Sequence, residues 1–145
     1  MALAGNATLK PLIATAANEL NGRVSPDGRW LSWISEETGR GEAYVMPYPN
    51  GEKRQVSSGG ADDAFWLGKS GDLAWVRDGS LLAARIGADG PGASRPLLGG
   101  PVLANAQAVA AAPDGKRLLV AMPADGGSSG SLTLIANWPA ELSGK

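Results

Sequence analysis

A four-residue turn, Ser25-Pro26-Asp27-Gly28, constrains the fold of this chain more than any other feature, because it recurs at a constant spacing. Serine suits the first position of a type I turn and proline presets φ at the second. Aspartate tolerates the third position, and glycine takes the left-handed conformation that comes next. Apolar residues flank the turn, so the sequence predicts a tight β-hairpin closed by a glycine bulge.

The turn has a second clear copy at Pro113-Asp114-Gly115 and a degraded copy at Gly68-Lys69-Ser70-Gly71. Gly71 lies 43 residues after Gly28, and Gly115 lies 44 residues after Gly71. Repeats of about 40 to 45 residues with four strands each are typical of propeller blades. We therefore expect an all-β propeller with three four-stranded blades, at residues 14–57, 58–98 and 99–138.

The predicted strands coincide with apolar stretches between the turns. They are residues 22–25, 30–35, 42–48 and 52–57 in the first unit, 63–67, 72–76, 80–86 and 94–98 in the second, and 107–111, 118–122 and 131–138 in the third. The third unit lacks a fourth strand, and residues 7–13 are the only spare strand of that type. Within it, Lys10-Pro11-Leu12-Ile13 is similar to Arg95-Pro96-Leu97-Leu98. A helix over residues 9–20 is the alternative, although Pro11 interrupts it and no cap precedes it.

The number of repeats predicts how the ring closes. Propellers hold about 4 to 8 blades, and six is the only multiple of three in that range. We therefore predict a head-to-tail homodimer with six blades, in which residues 7–13 of each chain complete the last blade of the other. A fragment of a longer propeller is the alternative, because three blades alone would expose apolar faces and an edge strand. Residues 1–6 are expected to be a disordered or tag-like N-terminus, and residues 139–145 a C-terminal tail.

The composition excludes several kinds of chemistry. The 145 residues include neither histidine nor cysteine, which excludes serine–histidine triads, thiol catalysis and nearly every zinc site. We expect no enzyme activity, no metal and no cofactor. The net charge is −1 with no basic block, so nucleic-acid binding has little support. No apolar run reaches about 18 residues, so no membrane span is predicted, and the compartment stays undetermined.

Three stretches carry a resemblance to a known family. The runs at residues 25–33, 43–49 and 55–60 resemble the TolB-type, PD40 (WD40-like) propeller repeat. With the ending at residues 134–142, the chain is similar to the C-terminal propeller half of bacterial eukaryotic-like serine/threonine kinases. The resemblance implies a non-catalytic binding module that takes a protein or peptide ligand on a propeller face. An excised sensory half of a receptor-like kinase is one alternative, and an accessory propeller of a prolyl-oligopeptidase-like hydrolase is another.

Five polar residues are candidates for a ligand site at the mouth of the central channel. The loop into each innermost strand opens there, and these loops contain Asn18, Glu19, Asp62, Asp63 and Asn105. Two chains would double these groups into an acidic ring. The alternative is that they cap turns or face solvent, since a bound cation needs several converging oxygens.

Two other patterns have simpler explanations than a functional site. Residues 126–130 match the Gly-x-Ser-x-Gly nucleophile pattern, but that pattern requires a strand-to-helix turn and a histidine partner. The five tryptophans suggest a carbohydrate platform, but packing between blades explains their alternation in predicted strands better.

Overall fold

The computed structural model of the chain describes residues 10–98, 103–123 and 131–136, and these residues form an all-β fold. Its strands are β1 (Glu19–Val24), β2 (Trp30–Ser35), β3 (Glu42–Pro47), β4 (Arg54–Gln55), β5 (Asp63–Trp66), β6 (Asp72–Arg77), β7 (Ser80–Gly87), β8 (Gly90–Pro91), β9 (Arg95–Leu98), β10 (Ala108–Ala111), β11 (Arg117–Met122) and β12 (Ser131–Ala136). Every strand pair is antiparallel. The prediction of an all-β chain is therefore confirmed, and residues 10–18 contain no helix.

The strands form three sheets in chain order. The first sheet has the order β1-β2-β3-β4, and the third has the order β10-β11-β12 within the described residues. In the second sheet, β5, β6 and β7 are followed by two short strands that both pair with β7. β8 pairs with the end of β7 and β9 with its beginning, so together they fill the fourth position of this sheet.

The three predicted turns are confirmed, including the degraded one. The amide of Gly28 donates to the carbonyl of Ser25 at 2.8 Å, and the amide of Gly115 donates to the carbonyl of Ala112 at 2.9 Å. Gly28, Gly71 and Gly115 all have positive φ, at 74°, 79° and 67°. Each turn joins the first two strands of its sheet, so the turn recurs at the same place in all three sheets.

Several predicted strand boundaries differ from the structure. β1 begins at Glu19 because an irregularity between Leu20 and Arg23 lets the strand continue its pairing with β2. The predicted strand 52–57 shortens to β4, because the amides of Val56 and Ser57 both reach the carbonyl of Ala43 and end the regular ladder. β8 lies in the predicted loop at residues 87–92.

The N-terminal segment also differs from the prediction as far as it is described. Residues 10–13 form no strand in the single chain, although residues 7–13 were expected to pair with a partner. The remainder of that segment, the expected terminal segments 1–6 and 139–145, Trp138 and the pattern at residues 126–130 lie outside the described residues.

Two apolar layers hold the three sheets together. The layer between the first and second sheets contains Trp30, Ile34, Trp66 and Trp75 among its buried members. The layer between the second and third sheets contains Phe65, Ala74, Val76, Leu81, Leu97, Leu98, Leu103, Val109, Leu118 and Val120. Three tryptophans thus pack between sheets, as the sequence predicts. The first strands of the sheets are neighbours, since β1 contacts β5 and β5 contacts β10.

A third apolar cluster lies on the outer face of the first sheet. It consists of Leu31, Trp33, Tyr44 and Met46, which are all buried, and Ile13 packs against it. The expectation that a single chain would expose this face is therefore wrong. At the other end of the stack, Leu119 of β11 is 43% exposed.

Gly68 allows the second and third turns to pack closely, and its substitution tests that contact. Gly68 has a φ of +53°, and an added Cβ would lie 2.6 Å from the carbonyl oxygen of Pro113. We expect Gly68→Ala to lower the free energy of unfolding by about 1–3 kcal/mol, measured by urea denaturation. Gly22→Ala is the control, because a Cβ there meets no atom within 4 Å. Equal stability of the two variants would contradict this packing.

Asp27 should make the first turn sensitive to acid. Ser25 Oγ donates to Asp27 at 2.5 Å and Arg29 Nε at 2.7 Å, and these bonds lower the Asp27 pKa from 3.8 to about 2. The stabilisation is therefore present above about pH 4 and is lost as the pH falls toward 2. Because the Asp27 side chain is 44% exposed, we expect Asp27→Asn to cost about 1 kcal/mol or less near neutral pH. Thermal unfolding should show this difference shrinking in acid, and a constant difference would contradict the assignment.

Candidate functional site

A groove of about 210 Å³ lies where the chain enters β5 and β10, and it includes two of the predicted site residues. Asp62 and Asp63 line it on one side, and residues between 103 and 109 line much of the other. The hairpin between β6 and β7 supports it, with positive φ at both Asp78 (49°) and Gly79 (75°). The amide of Leu103 donates to the carbonyl of Gly79 at 2.9 Å, which holds the segment before β10 against this hairpin.

The side chain of Asp63 forms contacts with residues of the first sheet. Its carboxylate accepts from Asn21 Nδ2 at 3.1 Å and from Arg23 Nη2 at 3.3 Å. Arg23 also donates to the carbonyl of Ala64 at 2.9 Å. The irregularity in β1 places Asn21 in the left-handed region, with a φ of 56°, and its side chain reaches β5 from there. Asp63 therefore joins two sheets rather than presenting a free carboxylate.

Asp62 is the free carboxylate of the groove. Its backbone amide donates to the carbonyl of Val76 at 2.8 Å, which fixes the chain just before β5. Its exposed side chain has no hydrogen-bond partner within the part of the chain that the structure describes. Asn105, by contrast, is an exposed residue at the end of the turn at residues 103–105 and does not line the groove.

Asn18 and Glu19 lie at a different place, where they hold the N-terminal segment to the first sheet. Asn18 Nδ2 donates to Glu36 at 2.7 Å, and the Glu36 amide donates to the Asn18 carbonyl at 3.1 Å. Glu19 Oε1 accepts from Ser35 Oγ at 3.2 Å and from Thr15 Oγ1. These contacts favour a structural role for the two residues, in which they stabilise the chain entering β1, over a ligand site.

The predicted site residues do not form a metal centre in the described residues. No group of three or more acidic, histidine or cysteine side chains is placed there to hold a metal ion. The acidic ring expected of two chains stays a prediction. A single chain brings only Asp62 and Asp63 together in one groove.

A buried carboxylate that the sequence analysis missed lies at the start of β3. Glu42 is 1% exposed and accepts from Ser57 Oγ, from the amides of Gly59 and Gly60 at 3.1 and 2.9 Å, and from Arg40 Nε at 2.8 Å. These four donors compensate the burial of the charge. The one signal in the sequence was an acidic residue at the head of an otherwise apolar strand. Glu42 anchors the segment that leads from the first sheet to the second.

Two charged side chains, Glu37 and Lys53, border the outer apolar cluster beside Tyr44. Lys53 donates to Glu37, and this contact together with a hydrogen bond from Tyr44 lowers the pKa of Glu37. Burial, followed by the Glu37 contact, raises the pKa of Tyr44 to about 12. The Tyr44 ring stacks on Trp33 with a centroid distance of 5.9 Å. Glu37 is thus tied to the face of the first sheet, although it lies in a polar loop.

Comparison with known proteins adds no family assignment. A scan against protein-family models finds no match, and no curated protein matches the chain. The resemblance to the PD40 repeat therefore stays a prediction. In the described ranges, no helix has the length and apolar character needed to cross a membrane.

The Arg23–Asp63 contact should couple the first two sheets energetically. Both side chains are partly shielded, so a double-mutant cycle with alanine should give a coupling of about 1 kcal/mol. The exposed pair Arg117–Asp114 is the control, with an expected coupling of about 0.5 kcal/mol or less. Urea unfolding of the four variants of each cycle measures both values. A coupling for Arg23–Asp63 no larger than the control would contradict the proposed link.

Proposed function

We propose that this chain is a non-catalytic interaction module whose first partner is a second copy of itself, and that two copies close a six-bladed β-propeller. Three features of the single chain support this proposal. They are its stacked antiparallel sheets, the edge of its third sheet that has no strand partner among the described residues, and the position of its N-terminal segment. The position of the N-terminal segment is the strongest of the three.

Ile13 packs on the outer face of the first sheet as a fourth strand from a preceding sheet would. In the second sheet, the fourth-position strand β9 places Leu97 and Leu98 in the layer that faces the third sheet. Lys10-Pro11-Leu12-Ile13 has the same pattern as β9, and Ile13 packs on Trp33 and its neighbours. Under this proposal, residues 10–13 correspond to the last strand of a preceding sheet, which the described part of this chain does not contain.

The exposure of Leu12 is consistent with a missing sheet. Leu12 is 47% exposed, whereas Leu97 at the matching position of β9 is 5% exposed. Leu97 is covered because β9 pairs with β7 and joins the second sheet. A partner that supplied a strand beside residues 10–13 would cover Leu12 in the same way.

The third sheet offers the complementary surface. β12 pairs with β11 on one side, and its other edge has no strand partner within the described residues. Leu119 is exposed on β11, in the same sheet. An open edge and an exposed apolar side chain favour association with another chain. Docking of the third sheet of one copy on the first sheet of the next would be head-to-tail, and two such contacts would close the ring.

The completed ring would carry two copies of the groove that contains Asp62. We propose this groove as the ligand-facing part of the module, with a protein or peptide that offers amide or basic groups to the free carboxylate. Much of the lining is contributed by glycine and by small apolar side chains, which suits recognition of an extended chain rather than catalysis.

Light scattering tests the assembly directly. We expect a solution mass about twice the 14.7 kDa of one chain, and conversion to a single-chain mass in both Leu12→Asp and Leu119→Asp. Each substitution places a charge in a contact that only the assembly would bury, so each variant should keep its fold by circular dichroism.

Leu20→Asp is the matched control for this experiment. Leu20 is 49% exposed on β1 and pairs with Ile34, which packs in the layer toward the second sheet and not on the outer face, so this variant should keep the mass of the dimer. A wild-type protein with the mass of one chain at tens of micromolar would overturn the proposal. So would a Leu12→Asp variant that still forms the dimer.

A further inference from the structure

A small cavity lies between the first two turns of the chain, at the end of the sheets where the repeated hairpins close. Its volume is about 120 Å³, and it is lined by residues of the first turn, the second turn and β7. Three basic side chains line it, namely Arg29, Lys69 and Arg85, with Asp27 as the acidic one. This cavity is separate from the groove at Asp62 and lies within one chain, so a ligand bound in it would not require the ring.

The positive charge around the cavity is incompletely neutralised. Arg29 pairs with Asp27 at 2.7 Å, and these two charges offset one another. Lys69 has no ion-pair or hydrogen-bond partner among the described residues. Arg85 lies 3.8 Å from Asp72, whose carboxylate is closer to Arg95 at 3.1 Å. One carboxylate is thus shared by two guanidinium groups, and the cavity keeps a net positive charge.

Buried apolar side chains form one part of the cavity wall, whereas most of the rest of the lining is polar. Trp30 and Trp66 line it, each only 8% exposed, and Ile86 adds a third buried apolar side chain. The Arg85 guanidinium lies near Gly71, where an added Cβ would be 3.7 Å from its Cζ, in ordinary van der Waals contact.

The size of the cavity limits what it can hold. Sites for drug-sized ligands have volumes of about 300–1,000 Å³, well above this one. We propose that the cavity between the first two turns binds a small oxyanion, that is, a phosphate or carboxylate group, held by Lys69 and Arg85. Guanidinium and ammonium groups form short, charge-assisted hydrogen bonds with both kinds of anion.

Titration with inorganic phosphate and with acetate, at constant ionic strength set with sodium chloride, tests the proposal on the intact chain. We expect saturable heat in calorimetry and a saturable change in tryptophan fluorescence, because two tryptophans line the cavity. The anion with the higher affinity distinguishes a phosphate site from a carboxylate site. Lys69→Ala should weaken binding about tenfold or more, and Arg85→Gln should do the same.

Lys116→Ala is the matched control, since Lys116 is an equally charged residue beside the third turn and does not line the cavity. It should bind the anion with unchanged affinity. The proposal is overturned if neither anion gives a saturable signal, or if Lys116→Ala weakens binding as much as Lys69→Ala. Circular dichroism of Lys69→Ala, which removes an exposed side chain, should match the wild type and so separate lost binding from lost folding.

Discussion

Burial of the middle sheet on both faces is the constraint on which the rest of the structure depends. Along β6, Leu73 and Trp75 face the first sheet, whereas Ala74 and Val76 face the third. A strand that is apolar on both sides is stable only when a second layer covers each face. The three sheets are therefore stable only when packed together. Apolar contacts provide most of the attraction between them, and polar contacts such as that of Arg23 with Asp63 fix their relative orientation.

In a stack of similar sheets, the outer faces of the first and last sheets have no neighbouring sheet to cover them. Repeat architectures cover the terminal faces or close on themselves, because each unit buries its apolar face only against a neighbour. Here the first face is buried with Ile13 against it, and the last sheet retains an exposed Leu119. This asymmetry between the two ends is the reason to consider a second copy, and it also distinguishes this chain from a sandwich of two sheets with equivalent outer faces.

The sequence predicted two residues of the candidate groove but not their contacts. The spacing of the repeat located Asp62 and Asp63 at the start of the first strand of the second unit, and in the structure Asp63 begins β5 with Asp62 just before it. It did not separate their roles, because an irregularity in β1 brings Asn21 to Asp63 and leaves Asp62 free. Glu42 was missed for a similar reason, since most of its donors come from a loop that lies 15 to 18 residues further along the chain.

The sequence by itself determined the turns, the strand order and the faces of the strands, because these depend on local backbone preferences and on the two-residue period of a strand. For that reason, the sequence predicted that Trp30 and Leu31 lie on opposite faces of their strand. Only the tertiary structure decided the close contact of Gly68 with the third turn, the broken fourth strand of the second sheet and the cavity beside Lys69. Each of these depends on distances between segments far apart in the chain, which the packing of the three sheets sets and no local pattern records.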